Sequence, residues 1–99
     1  MSEKSPLIVV KRKYYDQFSS GAKTIEYRRI RGSFTNRVYY PGRRVRVAYN
    51  YDIGRYPFLT ATVTQFYAQP ARSCPDLMEI DPTLSADEMI AAIHLNVDR

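Results

Sequence analysis

Lys23, Glu26 and Arg28 stand close together in the run Gly21-Ala22-Lys23-Thr24-Ile25-Glu26-Tyr27-Arg28. If this run is extended from Thr24 onward, Thr24, Glu26 and Arg28 form a polar row on one face while Ile25 and Tyr27 take the other. Residues two apart on a strand lie about 6 to 7 Å from one another, so the Glu26 carboxylate and the Arg28 guanidinium can pair side by side. Such a pair has two readings. Glu26 can accept from a nucleobase amino group while Lys23 or Arg28 holds a phosphate, a division of labour that needs both signs of charge in one cleft. Alternatively Glu26 only neutralises Arg28 on a basic surface, where ion pairs are common and weakly stabilising. In an enzyme, Lys23 and Glu26 are the candidate proton-transfer pair.

Other chemistry-bearing residues are more isolated. Thr24 has a hydroxyl to offer a ligand but no histidine beside it in sequence to act as base. His94, the one histidine, stands between Ile93 and Leu95 and reads as a partly buried structural residue. Cys74, the one cysteine, excludes an internal disulfide and a four-ligand cysteine zinc site, and no metal or cofactor is expected. Tyr39, Tyr40, Tyr49 and Tyr51 could serve as stacking platforms, although Tyr49 is in phase with Val45 and Val47 and suits a core equally well.

The net charge of +5 hides a division along the chain. Residues 1–55 hold 13 Lys and Arg against 4 Asp and Glu, whereas residues 56–99 hold 2 against 6. Nine of those 13 cations are arginines, whose planar fork suits bidentate phosphate contacts, and eight of the nine tyrosines lie between Tyr14 and Tyr56. Cations interleaved with flat side chains point to nucleic acid, RNA or a nucleotide, as the partner. No apolar run approaches the roughly 18 residues of a membrane helix, and the first residues lack a signal-peptide apolar segment. No membrane partner and a cytoplasmic location are therefore expected.

The elements that must position these residues can be read from pattern. Ninety-nine residues make a single domain, 1–99, which buries only about 60 to 65% of its extended surface, so any cleft must be shallow. Leu7-Ile8-Val9-Val10 reads as a buried strand. Tyr14 and Phe18, four apart, mark a two-turn helix over 14–20 that Gly21 stops. Strands are expected over 24–30, 43–51 and 58–67, with a type II turn at Tyr40-Pro41-Gly42 and a hairpin loop around Gly54. In the second of these strands Val45 and Val47 alternate with Arg44 and Arg46, giving a basic outer face; Arg43, Arg44 and Arg46 are therefore candidate extensions of the basic surface. Residues 68–82 read as a Pro-spaced loop. Ser85-Ala86-Asp87-Glu88 has the spacing of a capping box, which predicts a C-terminal helix over about 85–95. The sum is an α+β chain with a curled, mostly antiparallel sheet and two helices.

The spacing G-x-K-x-x-E-x-R resembles the signature of the ASCH domain family, part of the PUA-like group of small β-barrels. Tyr14-Tyr15-Asp16 resembles that family's first helix and Tyr40-Pro41-Gly42-Arg43-Arg44-Val45 the turn into its next strand, so the likeness covers roughly residues 7–67. It implies a small PUA-like antiparallel barrel with the motif residues lining a cleft for RNA or modified nucleotides. Some such relatives hydrolyse acyl groups from modified cytidine and one is a ribonuclease, so a small hydrolase is the alternative function. In the amidohydrolase branch a threonine nucleophile holds the place of Glu26. These barrels also close with a late strand, for which a helix over 85–95 leaves no room; a second copy is then expected to cover the exposed edge. A third reading is a protein-interaction module that docks through its acidic C-terminal helix.

Overall fold

The computed structural model describes residues 5–30, 35–49 and 57–98. Five strands form one mixed sheet: β1 (Leu7–Val10), β2 (Ile25–Arg29), β3 (Arg44–Tyr49), β4 (Leu59–Pro70) and β5 (Met89–Val97). Their order is β1-β3-β4-β5-β2, with β1 parallel to β3 and every other neighbouring pair antiparallel. Two helices accompany the sheet, α1 (Arg12–Ser20) and α2 (Pro75–Ile80). The α+β class stands, but the sheet is mixed and has two edges instead of closing as an antiparallel barrel. The expected loop around Gly54, and Tyr51, lie outside the described residues.

Several local readings hold. Gly21 ends α1 with φ 87°, a left-handed conformation that an L side chain resists. Gly42 has φ 93° and the Arg43 amide donates to the Tyr40 carbonyl at 3.0 Å, completing the type II turn into β3.

The C-terminal helix does not form; residues 89–97 are β5. Along β5, Ala91, Ile93, Leu95 and Val97 face the main core with Ile8, Val10, Phe18, Val45 and Val63, while Ile90 joins a second cluster with Ala71, Cys74 and Leu84 on the opposite face. A strand buried on both faces reads as an unbroken apolar run, and the alternation that distinguishes strand from helix disappears. Glu88 caps nothing; its carboxylate takes two hydrogen bonds from Arg29, both at 2.8 Å. The stretch read as a loop over 68–82 holds the end of β4, a 3-10 turn (Ala71–Ser73) and α2. A shift of register at Thr64, between Val63 and Gln65, lets β4 continue pairing with β5 as far as Pro70 opposite Met89.

β5 supplies the late strand for which a helix over 85–95 leaves no room. It lies inside the sheet between β4 and β2, which removes the ground for a second copy closing an edge. It also removes the acidic helix through which a partner was to dock.

The chain runs from one edge strand, β1, through α1 to the other, β2. Four interstrand steps of about 4.8 Å would put those edges roughly 19 Å apart in a flat sheet. Instead the Arg28 side chain, on β2, donates to the Val9 carbonyl of β1 at 2.6 Å. The sheet is therefore strongly curled, and α1 drives the fully buried Phe18 into the space it encloses.

The C-terminal end is tied down by charge. Arg44 forms a two-pronged pair with Asp98, and Thr60 donates to the same carboxylate at 2.9 Å. These partners, Arg44 first, hold the Asp98 carboxyl at about 2. That lies below the ordinary value of roughly 3.9, so Asp98 contributes stability that is fully present above about pH 4 and is lost as pH falls towards 2. Asp98→Asn is expected to flatten the acid limb of the stability-against-pH curve between about pH 4 and 2, measured by urea unfolding across that window.

Candidate functional site

Register decides which face of β2 meets the core. Glu26 pairs with Ile93 and Arg28 with Ala91, so both share the sheet face of the main core. The alternation read from the sequence is present, but its polar row is the one turned inward. Glu26 is the one buried charged residue among those described, at 6% exposure. Its Oε2 accepts from Arg28 Nε at 3.2 Å and from Nη2 at 3.0 Å, and the same Nη2 reaches the Val9 carbonyl. One guanidinium thus satisfies a buried carboxylate and joins the two sheet edges. Tyr39, 1% exposed, lies within the field of both charges; burial pushes its phenol up, Arg28 and Arg43 oppose this and Glu26 adds to it.

Lys23 follows the α1 stop, with its amide donating to the Gln17 carbonyl at 3.1 Å. Its ammonium lies 5.1, 5.5 and 5.4 Å from the ring centroids of Tyr14, Phe18 and Tyr27. Aromatic faces attract a cation by about 0.5 to 1 kcal/mol each at accessible sites without neutralising it. No carboxylate pairs with Lys23 among the described residues, so its full charge remains available.

These groups line one cleft at the seam between β1, β2, α1 and α2. The larger lobe, about 210 Å³, runs along Val9, Val10, Lys11, Tyr14 and Arg28. A smaller lobe, about 80 Å³, shares Glu26, Tyr14 and Tyr27 with it and is lined in addition by Lys23, Cys74 and Asp76. Leu77 and Ile80 of α2 form an apolar wall shared by both. Typical small-molecule sites run roughly 300 to 1,000 Å³, so this cleft suits a small ligand or one protruding group of a large one. Burial, reinforced by Cys74, pushes the Tyr27 phenol up and keeps it neutral at physiological pH.

Lys23, Glu26 and Arg28 are thereby brought together. Thr24 is exposed and outside the cleft lining; its carbonyl accepts from the Leu95 amide at 2.8 Å. Arg44 and Arg46 project from the opposite sheet face. Arg44 is engaged by Asp98, and Arg46 donates to the Ser5 carbonyl at 3.1 and 2.6 Å and lies over Phe58. Arg43 stacks on Tyr40 at 5.5 Å. None of the three extends the cleft. Tyr39 is too buried to stack on a ligand. Tyr49 is half-buried, 6.0 Å beneath the Arg12 guanidinium. His94 is half-buried as read, but on a strand, edge-on to Tyr67 at 5.3 Å and away from the motif pair.

Sequence reasoning missed Lys11, Tyr27 as a wall, Asp76 and α2. Pro75 at the first helical position with Leu77 and Ile80 three apart is the signal that could have revealed α2. No family model matches the chain, and no curated protein and no solved structure matches it.

Removing Arg28 would leave a buried carboxylate unpaired and free the Val9 carbonyl. Breaking one partner of a buried pair costs roughly 3 to 5 kcal/mol, and the 30% exposure of the Arg28 side chain lowers the expected loss to about 2 kcal/mol. In a double-mutant cycle read by urea unfolding, Glu26→Ala with Arg28→Ala together are expected to cost less than the sum of the single changes. Additive losses would mean that the two residues stabilise the fold independently.

Proposed function

We propose that this chain is a binding module for RNA or a modified nucleotide, similar to ASCH domains, with its ligand in the cleft at the β1–β2 seam. The observation that carries this reading is that Lys23, Glu26 and Arg28, spaced as in that family's signature, line one cleft together with the rings of Tyr14 and Tyr27. The two rings offer flat surfaces for a base. Glu26 is positioned as the acceptor for a base amino group, and Lys23 supplies unneutralised positive charge. A PUA-like relationship accords with a curled sheet whose edges meet at the motif.

Binding is preferred over hydrolysis because Glu26 is held as an ion-paired acceptor by Arg28 and stands where the amidohydrolase branch has its threonine nucleophile. Among the described residues no histidine lines the cleft.

A panel of modified nucleosides and short RNAs, assayed for both binding and turnover, tests the reading with Glu26→Gln as the diagnostic variant. The side chain keeps its size and hydrogen-bonding reach but loses its charge. The expected result is an affinity loss of about 1 to 3 kcal/mol with no turnover in the wild type, with thermal unfolding used to verify that the variant is folded. Product release by the wild type, reduced about a hundredfold or more by Glu26→Gln at nearly unchanged affinity, would assign the cleft to a hydrolase instead.

A further inference from the structure

Ion pairs occupy several of the arginines of the basic first half, two of them through acids of the second half. Arg29 is taken by Asp81 and Glu88, Arg44 by Asp98, Arg28 by Glu26, and Arg12 by Asp16 at 3.4 Å. Among the described residues, Lys11, Lys13 and Lys23 have no carboxylate within ion-pair distance, and they gather around one ring. Tyr14, which lines both lobes of the cleft, has the Lys13 ammonium 5.9 Å and the Lys23 ammonium 5.1 Å from its centroid, and Lys11 lines the larger lobe beside it. Both Lys11 and Lys13 are exposed.

The placement of these lysines runs against local preference. Lys11 stands at the N-cap of α1 without a side-chain cap hydrogen bond, and the first turn holds no acid, although the helix dipole favours negative charge there. Cations placed there repel the helix end, and a bound anion relieves both unfavourable terms. Glu26 lines both lobes, and the smaller lobe sets the further carboxylate of Asp76 against its one cation, Lys23, which suits it less to an anion.

Resting on the binding reading above, we infer that the ligand carries a phosphate ester, seated on Lys11 at the rim of the larger lobe with Lys13 beside it on the Tyr14 ring, and that its base lies in the cleft against Tyr14, Glu26 and Tyr27. The outer face bearing Arg44 and Arg46 does not hold it. The phosphate can belong to a free mononucleotide or to an RNA strand.

The test measures dissociation constants at low and physiological salt for the four common ribonucleosides, their 5′-monophosphates and a short single-stranded RNA of mixed sequence. The proteins are wild type, Lys11→Ala/Lys13→Ala, and Arg37→Ala as a control that removes an exposed cation remote from the cleft. Wild type is expected to bind a phosphate-bearing probe about tenfold tighter than the matching nucleoside at low salt. The double lysine variant should lose that advantage, and its salt slope on RNA should fall by about 1.4, two contacts at roughly 0.7 each, while Arg37→Ala behaves as wild type. Tighter binding of RNA than of any monophosphate assigns the phosphate to a strand; the reverse assigns it to a free nucleotide. Nucleosides bound as tightly as their phosphates, or an equal loss in Arg37→Ala, would overturn the inference and leave the cleft reading standing. Absence of binding to every probe would overturn both.

Discussion

The Arg28 guanidinium holds the two ends of the sheet together. Its Nη2 is shared between the Glu26 carboxylate on β2 and the Val9 carbonyl on β1, strands that are four steps apart in sheet order. A buried carboxylate is costly unless paired and hydrogen-bonded, and an edge-strand carbonyl turned from water carries its own desolvation cost. One planar, multiply donating side chain meets both needs, and only a strongly curled sheet brings them within its reach. The cleft is a consequence of the same constraint. Side-chain bridging in place of a complete strand-to-strand ladder leaves an opening at the seam, and α1 and α2 supply its walls.

β5 makes that arrangement possible. It joins β2 to the rest of the sheet and sets the register that turns Glu26 and Arg28 towards the main core. Its own sequence, Met89-Ile90-Ala91-Ala92-Ile93-His94-Leu95, accommodates this central position because small and branched apolar residues serve both faces. The same property made it read as a helix. Capping-box spacing is a local signal worth about 1 kcal/mol, and burial of a whole strand on two faces outweighs it.

The charge asymmetry of the chain has a structural outcome that the charge count alone does not convey. Arg29 and Arg44 belong to the basic half, yet their charge is spent on the C-terminal acids that fasten the 81–88 segment and the end of β5. The lysines of and around α1 keep theirs. Composition pointed to a phosphate-binding protein through its arginines, whereas the unneutralised potential beside the cleft comes from lysine.

Local elements were legible in the sequence wherever one short-range rule governed them. β1 followed from a branched apolar run, the C-terminal end of α1 and the turn before β3 from Gly21 and Gly42, and the alternation of β2 and β3 from period-two patterning. The motif spacing also identified Lys23, Glu26 and Arg28 as neighbours. Tertiary structure alone decided the strand order, the inward direction of the polar row, the identity of β5, the placing of α2 over the cleft and the pairing of each arginine. These depend on contacts between segments tens of residues apart. No local propensity encodes them, because the energy of a buried pair or of a two-faced strand exists only once the surrounding surfaces have assembled.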